Sequence, residues 1–193
     1  MDIIISLLMG TRLLTLFGGG LGSEPAPVFL EPKIIIAAEE VRLTCLLANA
    51  FPPELKNLAQ TATPVVIYLV VSVSESDTRR MVKKITAENR MVYDMITRRY
   101  CVFKSVTRDT VWLGTIDSAV TASVTFAEIP ILSRRDIRKE SSYVFAAQAI
   151  LGKTRVEALD NKAIDCMYYW NYKRPTFSTS AIRGDHLAGA IKR

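Results

Sequence analysis

Apolar and polar residues alternate with a period of two along most of this chain. Val41, Leu43, Cys45 and Leu47 alternate with Arg42 and Thr44, the pattern of a strand with one face on a core. Lys33 to Ala38 reads as the arm before it. Val65 to Val73 is a β-branched run, apolar on both faces, which predicts a central strand. Ala87 to Ile96 and Arg99 to Val106 continue the pattern, with Met91, Tyr93 and Met95 on one face and Cys101 and Phe103 sharing another. Thr107 to Thr110 turns the chain into Val111 to Leu113. Ile129 to Leu132, Tyr143 to Leu151, Tyr168 to Tyr172 and Thr176 to Ser178 complete the predicted strands.

Three segments switch to helical spacing. Leu55, Leu58, Ala59 and Ala62 recur at i, i+3, i+4 and i+7 behind Pro52 and Pro53, which a first helical turn tolerates. Ile116, Ala119, Val120, Val124 and Ala127 follow Thr115 as an N-cap. Thr154-Arg-Val-Glu157 matches a capping box, with Val156, Leu159, Ala163, Ile164 and Met167 behind it on one face. Eight or nine strands joined by short turns, with helices too few for repeated βαβ units, predict a mainly β, α+β fold. The expected architecture is an antiparallel β-sandwich with two or three short packed helices.

The ends of the chain change the organisation. Residues 1–23 are mainly apolar and charged only at Asp2 and Arg12, with Gly18 to Gly20 near the end, the composition of a signal peptide or N-terminal membrane anchor. A start at Met9 would make Arg12 its basic beginning. The competing reading is an amphipathic first helix or a core strand over Ile3 to Leu8 of a cytoplasmic protein. Arg12 interrupts a stretch that would need about 20 apolar residues to span a bilayer. Residues 24–32, with Pro25 and Pro27, read as a linker, 33–180 as one sandwich domain, and 181–193 as a flexible tail.

With 193 residues, 49% hydrophobic and 23% charged, the chain is neither disordered nor a multi-pass membrane protein. A domain of this size buries roughly 70% of its extended surface and requires no metal or disulfide. Cys45, Cys101 and Cys166 are tens of residues apart with no CxxC, so no metal site or cofactor is expected. His186 is the single histidine and falls in the expected tail, with no group to orient it as a catalytic base. Asp94, Asp117, Asp136, Asp160 and Asp165 are spread over different elements, and Gly18 to Gly20 lacks the lysine of a phosphate loop. Trp112 and Trp170 are expected in the core.

Basic residues are the remaining signal: 25 Lys and Arg against 19 Asp and Glu, a formal charge of +6. Arg79, Arg80, Lys83, Lys84, Arg98, Arg99, Arg134, Arg135, Arg138 and Lys139 occur as pairs at turns, with Lys173-Arg174 another pair. Gathered beside Tyr100 and Tyr172 they would form a polyanion groove, arginine on phosphates and rings for stacking. The charge falls short of a dedicated nucleic-acid binder, and paired cations at turns also serve solubility.

The order of landmarks resembles a known family. A proline-started helix, Pro64-Val-Val-Ile-Tyr-Leu, Tyr93-Asp-Met-Ile-Thr-Arg-Arg-Tyr100-Cys-Val, Val111-Trp-Leu-Gly-Thr-Ile-Asp-Ser-Ala119, Tyr143 to Ala149 and Trp170 to Ser178 follow in sequence. Over residues 33–180 they are similar to the bacterial family called domain of unknown function 4390. The resemblance implies an exported, envelope-associated protein and carries over no activity, cofactor or site residue. The expected function is a non-catalytic module, binding or scaffolding another envelope protein on the outer side of the inner membrane, with contacts in Ser74 to Lys84 and Ser133 to Ser142. The alternatives are a binder of anionic lipid, wall polymer or nucleic acid, and an enzyme built on dispersed carboxylates.

Overall fold

The computed structural model describes residues 3–5, 25–156 and 162–188. Its elements run β1 (Ile3–Ile5), β2 (Val28–Ile36), β3 (Glu40–Ala48), α1 (Pro53–Ala59), β4 (Val65–Glu75), β5 (Met81–Asp94), β6 (Arg99–Lys104), β7 (Asp109–Leu113) and α2 (Ile116–Val124). They continue β8 (Thr125–Ser133), β9 (Ser142–Leu151), β10 (Lys153–Val156), β11 (Lys162–Asp165), β12 (Thr176–Ser178), β13 (Ile182–Arg183) and α3 (Gly184–Ala188). Every strand pair is antiparallel.

Two sheets form the layers, as the alternation predicts. One has four strands in the order β1-β2-β3-β8; the other has seven, β12-β9-β4-β5-β6-β7 with β13 also on β9. Val41, Leu43, Cys45 and Leu47 of the first face Ile67, Leu69, Val71, Phe145 and Ala149 of the second in one buried cluster. Phe29 and Phe177 meet edge to face, centroids 5.1 Å apart, and join the layers at one border. α1 puts Leu55 and Ala59, and α2 puts Ala119 and Val124, into the same core. The Thr115 cap is present, its side chain accepting from Ser118 N–H.

Several expectations change, beginning with α2, which stops at Val124 and leaves Ala127 in β8. Thr154 does not start a helix: β10 and β11 pair as a hairpin, Thr154 opposite Ile164, so the ladder takes the backbone groups a helix would need. Tyr168 to Tyr172 is not a strand, because Cys166–Trp170 winds into a 3-10 helix that Asp165 caps through Met167 N–H and Asn171 ends at φ 49. Residues 28–32 of the expected linker belong to β2, paired with β3. The expected tail is docked over 182–188, where β13 pairs β9 and Leu187 is fully buried; 189–193 lie outside the described residues. Of the expected leader only Ile3–Ile5 is described, as a strand on β2. No helix among the described residues is long and apolar enough to cross a membrane.

Candidate functional site

The long β4–β5 hairpin and its β9 neighbour decide where the basic residues go. Glu75, at the end of β4, lies opposite Tyr143, near the start of β9. The β4–β5 turn and the β8–β9 connection therefore share one end of the sandwich, and Ser76 N–H donates to Ser142 O at 2.7 Å. Arg79, Arg80, Lys83 and Lys84 stand on the first segment; Arg134, Arg135, Arg138 and Lys139 stand on the second. Ser74 to Lys84 and Ser133 to Ser142 each hold four basic and two acidic residues, so together they carry a net +4 of the chain's +6. Arg98 and Arg99 are elsewhere, at the far end of β5, ~40 Å away at about 3.3 Å per residue.

Glu75 ties the two segments together. Its side chain is 9% exposed and accepts from Arg80 Nη2 at 2.9 Å, Arg80 Nε at 3.3 Å and Thr78 Oγ1 at 3.0 Å. Arg138 Nη1, from the other segment, stands 3.9 Å from the same carboxylate. The Arg80 hydrogen bonds, then that of Thr78, hold the Glu75 carboxyl below its ordinary range, and Glu75 in turn raises Arg80. This forked pair is charge-assisted and fixes the guanidinium plane.

The β8–β9 connection is held as firmly. Arg138 N–H donates to Tyr143 Oη at 2.8 Å, and Gly184 N–H to Ser141 O at 2.7 Å. Gly184 is buried, and a Cβ there would overlap the Arg138 carbonyl oxygen, so only glycine lets α3 sit this close. Arg134 donates to Ala38 O at 3.1 Å and also bonds Ala188 O. Arg79 and Arg98 take φ of 54 and 53 at their hairpin turns, a left-handed conformation that glycine or asparagine adopts with less strain.

The two rings of the expected polyanion groove do not join the basic cluster: Tyr172 is 62% exposed but follows the 3-10 helix that packs at the Leu151 end of β9, away from Tyr143. Tyr100 is 6% exposed and packs on Tyr93, centroids 4.8 Å apart, so it offers no free stacking face. Trp170 is buried as expected, its indole N–H donating to Ala50 O at 2.8 Å. Trp112 is not a core residue: it is 44% exposed, because β7 ends the seven-stranded sheet. That edge position depends on strand order, which periodicity does not reveal.

Three of the candidate carboxylates serve local structure. Asp94 accepts from Ile96 N–H and Thr97 N–H, which lower its carboxyl; Asp117 pairs with Lys56 at 3.0 Å; Asp165 caps the 3-10 helix. Asp160 lies outside the described residues. No group of three or more His, Cys, Asp or Glu able to hold a metal occurs among the described residues. All three cysteines are free thiols. An open groove of about 560 Å³ runs between α2 and the β6–β7 hairpin, lined by Lys104, Leu113, Asp117, Thr121 and Ala122. Asp117 is the one carboxylate lining it.

Comparison with protein-family models, curated proteins and solved structures gives no match to the chain.

Proposed function

We propose that this protein is a non-catalytic binding module of the bacterial cell envelope, whose basic loop end holds an acidic face of another envelope protein. The observation that carries the reading is the joining of two sequence-distant basic segments through Glu75 into one fixed surface. Arg80 and Arg134 are already held by hydrogen bonds, which lowers the entropy lost when they bind. The leader composition of residues 1–23 and the resemblance of 33–180 support the envelope.

Photo-crosslinking in living cells tests it, with the reactive residue placed at Arg79, at Lys139 and, as a control at the opposite end, at Ile96. One shared crosslinked protein from Arg79 and Lys139, absent from Ile96, is expected. Identical products from all three positions would remove the loop end as the binding surface. A reporter active only outside the cytoplasm, fused after residue 30, tests the compartment separately, and silence from both Met1 and Met9 starts would place the protein in the cytoplasm.

The net +4 of the two segments also suits a phosphate polymer or an anionic lipid surface. That second reading requires affinity for anionic vesicles or polyphosphate that falls steeply with salt. Binding that ignores salt would exclude it.

A further inference from the structure

The sheet edges of this fold are not equally protected. β8, an outer strand of the four-stranded sheet, carries Pro130, Glu128 at φ 51 and two register shifts against β3. β12 and β13 are three and two residues long, β1 is three, and β2 behind it carries Pro32, Glu31 at φ 41 and a register shift against β3. Proline, irregular register and short length are the usual means of keeping an edge from pairing. β7 has none of these beyond a modest length: five residues, no proline, and an unbroken register with β6.

The hydrogen-bond alternation shows which β7 groups are free. Ser105 N–H donates to Glu88 O at 2.8 Å, so Ser105 faces β5. Backbone groups of successive residues point to opposite sides, so Phe103 and Cys101 also face β5, while Lys104, Val102 and Tyr100 face β7. Their partners Asp109, Val111 and Leu113 face back. Thr110 and Trp112 therefore turn their N–H and C=O groups outward. The Trp112 carbonyl meets an exposed Arg99 Nη2 at 3.0 Å, and a carbonyl has a second lone pair for an incoming strand.

We propose that two copies of this chain pair β7 to β7 in antiparallel fashion about a two-fold axis through Val111. This register places both outward-facing residues against outward-facing residues: Thr110 against Trp112 of the second copy, and the reverse. Two hydrogen-bonded pairs then supply four backbone bonds, and Val111 meets its own copy as the non-hydrogen-bonded pair between them. A shift of one residue sets outward groups against inward ones, and a shift of two leaves only the self-pair of Trp112 or of Thr110 inside the strand, two backbone bonds in place of four. No like charges oppose: Asp109 meets Leu113, and Arg108 meets Gly114.

The side chains fit the same arrangement. Val111 is 39% and Trp112 44% exposed in one copy, and pairing covers both. Trp112 lies over Thr110 of the second copy, an aromatic to β-branched contact of the kind that stabilises strand pairs. Val111 shares the side of Tyr100, Val102 and Leu113, so the two α2 grooves run together along the seam. The interface is isologous and closes on itself, giving a dimer and not a fibre. It is independent of the basic loop end, so either can fail without the other.

Sedimentation equilibrium on the full chain tests the pairing. A concentration-dependent dimer is expected, and Val111→Lys, which sets two ammonium groups face to face on the axis, should weaken it at least about tenfold. Circular dichroism checks that this exposed substitution leaves the fold intact. Val111→Cys in a Cys101→Ser background gives a second readout. Non-hydrogen-bonded partners stand ~4.5 Å apart at Cα, within disulfide reach, so mild oxidation should link two chains at position 111 and not at Ile96→Cys. A chain that stays monomeric up to ~0.1 mM, near the weak limit of useful association, overturns the proposal and leaves the edge to a strand from another protein. A dimer unaffected by Val111→Lys and not linked through position 111 overturns it as well.

Discussion

α2 ends without a glycine, since Thr125 is already extended at ψ 116 and the chain passes straight into β8. Its last carbonyls need donors from elsewhere. Asn89 of β5 supplies them, Nδ2 donating to Ser123 O at 2.9 Å and to Thr125 O at 3.1 Å. Asn89 is 4% exposed, on the core-facing side of the sheet between Ile67 and Lys104. Asn89→Leu keeps the approximate volume and removes both donors. Two bonds at about 1 kcal/mol net each, with a further 1 to 2 for the buried Ser123 carbonyl left without a partner, give a cost of about 3 to 4 kcal/mol. Asn89→Asp should be worse, because it aims a carboxylate at two carbonyl oxygens. Burial and those acceptors raise its folded pKa above the unfolded value of about 3.9. The native state then binds more protons than the unfolded state between the two values, so this variant loses stability as pH rises above about 4. Urea unfolding followed by Trp170 emission, at several values of pH, measures both. A Leu variant within about 0.5 kcal/mol of wild type, the range of an ordinary surface change, would refute the donor role. So would a gap between the Asp and Leu variants that does not widen with pH.

Three further outcomes are expected. The Glu75 carboxyl, held below its ordinary 4.5 by Arg80 and Thr78, contributes stability that is present above the unfolded pKa and lost as pH falls through the folded one. Glu75→Gln should therefore show a flatter acid limb in urea titrations below about pH 4.5. Arg98→Gly, relieving φ of 53 at an exposed turn, should raise stability by about 0.5 kcal/mol, the left-handed cost less the greater freedom of unfolded glycine. A measured loss would mean that the arginine side chain stabilises the turn. Burial pushes the Cys45 thiol up to about 12, and burial with the neighbouring Asp165 pushes Cys166 up to about 11. Iodoacetamide at pH 8 should thus label the half-buried Cys101 alone in the native protein and all three cysteines in urea, as mass spectrometry would show.

The parts of the fold legible in the sequence are those where local pattern and tertiary environment agree. β3, β4 and β9 each bury alternate residues, so period two marks them directly. α1 and α2 carry their starts in Pro53 and Thr115. Thr154 misleads because a capping box is a four-residue pattern, while the β10–β11 ladder depends on a partner strand outside that pattern. The docked C-terminal segment is short and polar, and its order comes from Leu187 and from Gly184 against Arg138, contacts made across 46 positions between residues 138 and 184. The candidate surface was half visible. The basic pairs stand out in sequence, but their division into one cluster of eight and a distant pair follows from β9 lying beside β4. Glu75 gives no local sign of its role, since a lone glutamate at a strand end is ordinary.

The chain's order of assembly follows from the separations in its pairings. β4 to β7 form a meander joined by tight turns, able to zip from neighbouring residues. The rest of the fold is different: within the four-stranded sheet Arg42 of β3 meets Glu128 of β8 at a separation of 86 residues, and Trp170 reaches Ala50 across 120. Contacts of that range slow folding, because loop closure must precede any gain from them. Trp170, β12 and β13 follow the strands they close on in chain order, so those contacts form only after β2 to β9 have been made. Until then the meander's apolar face lacks its partner layer and is open to a chaperone.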